Sequence, residues 1–110
     1  MAISPEQTFD LGATVGTSEV TLATVPSDKA EMKVYGILVS ELSGSDNTLE
    51  LRVYKGTDLE KSFKVSVPAK ATVGILQLVD SPIMGVLSGR RLAAVAGAAS
   101  VSVLLSAYYL

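Results

Sequence analysis

A chain of 110 residues, 48% of them apolar, has room for one domain and not two, and scaling of surface with size lets it bury roughly 65% of the area its unfolded form exposes. It contains no cysteine and no histidine, which removes disulfides, thiolate and imidazole metal sites, cysteine nucleophiles and the usual general base near neutrality. Nine basic against eleven acidic side chains, a net charge of −2 and a pI near 5.0 argue against a nucleic-acid binder, while a mean hydropathy of +0.42, high for a lone soluble domain, reflects either surface covered by neighbours or Ala, Gly and Val that raise the score without making a patch.

Met1 to Gln7 is a short mixed stretch with Pro5 and Glu6 and lacks the basic start and long apolar run of a signal peptide, so synthesis in the cytoplasm is expected. Residues 1–17 read as an N-terminal arm that could include a first strand, and 18–110 as the folded domain. Period-two alternation then dominates. Val20 and Leu22 share one face with Glu19 and Thr21 on the other, and Pro26-Ser27-Asp28 makes a turn. Met32, Val34, Gly36 and Leu38 alternate with Lys33, Tyr35, Ile37 and Val39, so this strand is apolar on both faces from Val34 onward and is expected to be covered on both.

Ser43-Gly44-Ser45-Asp46-Asn47 is a cluster of turn formers, beyond which Leu49, Leu51 and Val53 alternate with Glu50, Arg52 and Tyr54. A hairpin pairing Met32–Ser40 with Thr48–Lys55 is expected, with Tyr35 and Tyr54 on one sheet face. Lys55-Gly56-Thr57-Asp58 turns the chain again, and Phe63, Val65 and Val67 point inward with Ser62, Lys64 and Ser66 outward. Pro68 ends that strand. Ala71 to Val79 is aliphatic on both faces, Asp80-Ser81-Pro82 turns, and weaker segments follow around Ile83–Leu87 and Leu92–Ala96. Leu92 to Leu110 is nineteen residues without a charge behind Arg90 and Arg91, the length of a membrane anchor. Its alternation at Ser100-Val101-Ser102-Val103 and its internal Gly97 favour a final strand from Ser100 to about Tyr109 instead, with Val101, Val103 and Leu105 on one face. Seven or eight short strands without helical period specify an all-β, antiparallel sandwich in a jelly-roll or other Greek-key order.

No phosphate loop, dinucleotide fingerprint, nucleophile elbow, zinc or EF-hand motif occurs. Lys61-Ser62 and Ser66 with Lys70 could pair a nucleophile with a base, but alternation puts Ser62, Lys64 and Ser66 on a solvated face. Glu41 with Asp46 and Asp58 with Glu60 are carboxylate pairs placed in turns, where they serve loop backbone and solubility, and the Glu41–Asn47 loop needs its oxygens for turning rather than for calcium. No catalytic, cofactor or metal residue is assigned. Four tyrosines, two phenylalanines and no tryptophan make a poor stacking platform for sugars or bases. The uncharged end Tyr108-Tyr109-Leu110 either completes the domain's own sheet or is buried between chains, and Arg90 and Arg91 either stay exposed or dock on a neighbour's carboxylates.

Val20-Thr21-Leu22-Ala23-Thr24-Val25-Pro26 ahead of a long apolar strand, then Gly44-Ser45-Asp46-Asn47-Thr48-Leu49-Glu50-Leu51-Arg52-Val53, then Gly89-Arg90-Arg91-Leu92 with Val101-Ser102-Val103, follow one another across most of the chain. This order resembles the small β-sandwich accessory proteins of tailed-phage virions, the capsid decoration (cement) proteins and related tail or fibre modules. The resemblance implies a non-enzymatic virion protein without cofactor, clustered on the capsid surface as a homo-oligomer, a trimer by preference, that clamps joints between major capsid protein subunits and touches neither nucleic acid nor membrane. It further implies that Met1 to Phe9 grips the lattice, with Ile3 and Phe9 as apolar anchors, and that Arg90, Arg91, Tyr108, Tyr109 and Leu110 are candidate interface residues. A tail, neck or fibre module and a carbohydrate-binding or adhesion module are the alternatives.

Overall fold

The computed structural model describes residues 8–76, 84–98 and 100–110. They form nine strands: β1 (Thr8–Val15), β2 (Val20–Thr24), β3 (Glu31–Glu41), β4 (Asn47–Lys55), β5 (Asp58–Val67), β6 (Thr72–Leu76), β7 (Met84–Leu87), β8 (Arg90–Ala96) and β9 (Val101–Tyr109). All pairings are antiparallel. Sheet I runs β1-β9-β3, with β6 and β7 occupying successive stretches of the far edge of β3, and sheet II runs β2-β8-β4-β5. Together the two sheets make the expected β-sandwich, with one edge strand interrupted.

The core lies between the sheets. Val15, Met32, Val34, Val39, Val101, Val103, Leu105 and Ala107 of sheet I face Leu49, Leu51, Val53, Val67, Leu92, Ala94 and Ala96 of sheet II. Pairing matches bulk to space: the leucines of β4 lie beside alanines of β8, Leu49 by Ala96 and Leu51 by Ala94, so the layer fills without overpacking. The β4–β5 hairpin turns at Gly56-Thr57, with Gly56 at φ +63°, a conformation that costs glycine nothing.

Four expectations are corrected by these pairings. The two-sided apolar character of β3 is a change of phase and not a double burial. The register with β9 slips between Val34 and Gly36, so Met32 and Val34 face the core before the bulge, Val39 and Glu41 after it, and Leu38 turns outward to be 49% exposed. The segment between β3 and β4 is not a hairpin loop, because β3 and β4 belong to different sheets and the chain arches from one to the other. Tyr35 and Tyr54 are therefore apart: Tyr35 lies 6.2 Å from the Tyr108 ring and Tyr54 lies under Arg91. β5, the most regular alternator, is an edge strand exposed over most of its length, with only Val67 buried. Leu92–Leu110 contributes to β8 and β9, and among the described residues no helix is long and apolar enough to cross a membrane.

Candidate functional site: two unlike outer faces

The arch shows why these sheets hold the positions they do. Glu41 is buried at the end of β3, and its carboxylate accepts hydrogen bonds from the Ser43 backbone N–H and hydroxyl, both at 2.7 Å, and from the N–H groups of Gly44 and Ser45. Burial pushes its pKa up, but these donors outweigh it and hold the carboxyl at about 2. Asn47 at the start of β4 accepts from the N–H of Ala98 and donates to its carbonyl, tying the β8–β9 connection to the arch. Asp46 accepts from the Ala69 N–H at 2.9 Å and ties in the segment after β5. Glu41 and Asp46 thus serve loop backbone, as their place in a turn suggests, and the donors around Glu41 leave no vacant face for a cation. Asn47 carries no signal in the sequence beyond membership of a turn cluster, since its partner is 51 residues away.

The outer face of sheet II is charged, and most of its charges are paired with one another. Glu19 accepts from Arg52 at 2.8 Å, from the Tyr54 hydroxyl at 2.6 Å and from Arg91 at 3.3 Å, while Arg52 also pairs with Glu50 at 2.9 Å. The Arg91 guanidinium stands 4.0 Å from the centre of the Tyr54 ring. These contacts, the tyrosine hydroxyl first, hold Glu19 below the usual carboxylate range. Arg90 of β8 reaches past β4 to Glu60 of β5 at 3.1 Å and lowers its pKa as well. Arg90 and Arg91 therefore find carboxylates within their own chain. Three strands and the turn before β2 supply this cluster, which linear spacing could not reveal.

Sheet I presents a different outer face. Backbone register sets Gly12, Leu104, Leu38 and Gly74 in one row across four strands, and Thr14, Ser102, Ser40 and Thr72 in the next. Leu104 is 40% and Leu38 49% exposed, and neither row contains a charge. Leu38 lies flat over β6: a Cβ at position 74 would stand 2.5 Å from its Cδ2, so glycine is required there by close approach. Ser40 and Thr72 share a hydrogen bond of 2.8 Å, and Asp10 is held by the Ser106 hydroxyl at 2.7 Å at the margin. The result is a hydroxyl- and leucine-bearing patch, with the Glu31–Lys33 ion pair, at 2.9 Å, on the same face nearer the start of β3.

Of the residues singled out for an interface, Ile3 lies outside the described residues. Phe9 is the second residue of β1, its ring 4.9 Å from that of Tyr109. Tyr108 is buried in β9, Tyr109 is half-buried, and Leu110, 46% exposed, bonds Glu31 and Ala30 through its backbone. Ser62, Lys64 and Ser66 are exposed, and the described residues bring together no group of three metal-ligating side chains.

No family model and no curated protein matches the chain. Among solved structures it is similar to a pentameric capsid protein isolated from metagenomic phage sequences, 19% identical, with 98% of this chain and 64% of that one covered and a TM-score of 0.45. It is also similar to the SPP1 Dit protein, described as a paradigm of the hub adsorption apparatus in phages infecting Gram-positive hosts, 10% identical over 88% of this chain and 45% of that one at 0.47. PirA is 14% identical over 98% and 97% at 0.45. The chain spans less than two thirds of the first two proteins, and at such scores its role has to be argued from its own residues.

Proposed function

We propose that the chain is a non-enzymatic structural protein of a tailed-phage virion, a decoration (cement) protein that joins the shell through the outer face of sheet I. The observation that carries this is the contrast between the two faces. On sheet II, Glu19, Glu50, Arg52 and Arg91 are paired within the chain, so covering them would desolvate ion pairs at a cost. Sheet I offers exposed Leu38 and Leu104 beside a row of hydroxyls, which lose little when covered and gain from burial, with its charges, Asp10 and the Glu31–Lys33 pair, toward the other end of the face. The strand order supports a jelly roll: with β6 and β7 taken as one interrupted strand, the two sheets read 1-8-3-6 and 2-7-4-5. The rigid sandwich suits a part that transmits load and carries out no chemistry. A glycan-binding module is disfavoured because five of the six aromatic rings, Phe9, Tyr35, Tyr54, Tyr108 and Tyr109, are engaged with one another or with Arg91, and Phe63 alone, 46% exposed, makes no stacking platform.

The test is co-sedimentation of the purified chain with capsids of the same source stripped of accessory proteins. Saturable binding is expected, lost in Leu38→Glu/Leu104→Glu and retained in Lys64→Glu on the opposite sheet. Binding to tails and not to capsids would move the role to a tail, neck or fibre module. Indifference to both, with retention on a glycan column, would overturn the reading.

A further inference from the structure

A bare sheet edge is a row of backbone donors and acceptors that another strand can extend unless something discourages it. Among the described residues the sheets end in four edges, and three carry deterrents. β2 has five residues and a register shift between Thr21 and Ala23. β5 carries Lys61 and Lys64, and its register slips where Glu60 stands opposite the step from Val53 to Tyr54. The third edge is divided into β6 and β7, of five and four residues. β1 is different: eight residues in unbroken register with β9, without lysine, proline or bulge, and with Asp10 as its one charge. Its inward side chains Phe9, Leu11 and Ala13 pack on the core yet remain half-buried, so none of the described residues closes the sandwich along this edge.

We propose that β1 is an interface strand that pairs antiparallel with β1 of a second copy of this chain, about a two-fold axis at Leu11, joining the two sheets I into one continuous sheet. The choice of register follows from side chains. Directly opposed residues of an antiparallel pair project from the same face, so the axis must coincide with a residue and not fall between two. An axis at Asp10 would oppose the two aspartates. An axis at Gly12 would place two residues without side chains at the centre. At Leu11 the two leucines meet on the inner face, Phe9 lies opposite Ala13, large against small, and Asp10 lies opposite Gly12, which separates the like charges. The contact is isologous, and because it is two-fold it gives a dimer where the resemblance implies a trimer. It goes beyond the virion reading and does not depend on it.

Sedimentation equilibrium of the full chain over a concentration series should show a species of twice 11.4 kDa that dissociates on dilution. Gly12→Asp sets a carboxylate against Asp10 of the second copy at both ends of the contact, and is expected to weaken the dimer about tenfold. A Cβ there meets Leu104 Cδ1 at 3.8 Å, an ordinary contact, so the fold tolerates it. Adding Asp10→Lys makes the opposed pair attractive and should restore the dimer. Since the chain has no cysteine, Leu11→Cys reports the axis independently: oxidation should yield a crosslinked dimer, and Ala13→Cys, displaced along the strands from its own copy, should not. A chain that stays monomeric or sediments as a trimer overturns the proposal. So does a failure of the lysine to restore what the aspartate removed, or equal crosslinking of the two cysteine variants. None of these outcomes bears on binding to capsids, which tests the other reading.

Discussion

Glu41 shows how one side chain can decide a connection. A carboxylate sealed under a loop is costly unless every lone pair finds a donor, and four donors from Ser43, Gly44 and Ser45 meet that requirement within five residues of chain. Its carboxyl titrates at about 2 in the fold against 4.5 ordinarily. Because the folded value is the lower one, the unfolded chain takes up the proton first as pH falls. The Glu41 contribution to stability is therefore complete above pH 4.5 and disappears between there and about 2. Urea unfolding across that window should show the acid-dependent loss in the parent chain and a flatter profile in Glu41→Gln, whose side chain does not ionise. At Glu19 the leading support is the Tyr54 hydroxyl, so Tyr54→Phe should move the Glu19 carboxyl upward, as read by carboxyl-carbon NMR titration. Global stability should change little, since exposed ion pairs contribute about 1 kcal/mol or less.

At the scale of strands, alternation is a reliable guide to faces and a poor one to neighbours. It located the stretches that became β2, β4, β5 and β9, and it set Val101, Val103 and Leu105 on the buried side of β9. It could not show that β3 and β4 lie in different sheets, because pairing is non-local and a turn cluster looks the same in a hairpin and in an arch. Nor could it show the slip after Val34, which leaves only a run of apolar residues on both faces. The ion cluster around Glu19 was hidden for the same reason, its members being up to 72 residues apart. β5 makes the distinction measurable. Leu49 and Phe63 both occupy inward phases, but Leu49 is fully buried whereas Phe63, beyond the cover of sheet I, is 46% exposed. Leu49→Ala should cost about 2–5 kcal/mol by denaturant unfolding. Phe63→Ala should cost about 1 kcal/mol or less, the reverse of what side-chain size suggests.

For the whole molecule, the order of strands in space sets the order in which stability can be acquired. β9 sits in the middle of sheet I, between β1 and β3, pairing Thr8 with Tyr108 and Glu41 with Val101. Sheet I therefore has no centre until residues 60 to 100 positions apart have met, and sheet II is only half of a core. Among the described residues only β4 and β5 pair as a local hairpin. A chain dominated by such distant contacts must close long loops before burial rewards it, which places folding in the range of about milliseconds to seconds. Tyrosine fluorescence in stopped-flow refolding should follow this, since Tyr35 and Tyr108 approach to 6.2 Å only when β3 and β9 have docked. Removal of residues 101–110 should then abolish the cooperative transition altogether: among the described residues β1 would lose its only sheet partner, and the core would lose Val101, Val103, Leu105 and Ala107. A truncated chain that still unfolds in one sharp step would mean that sheet II and β3 form a core of their own.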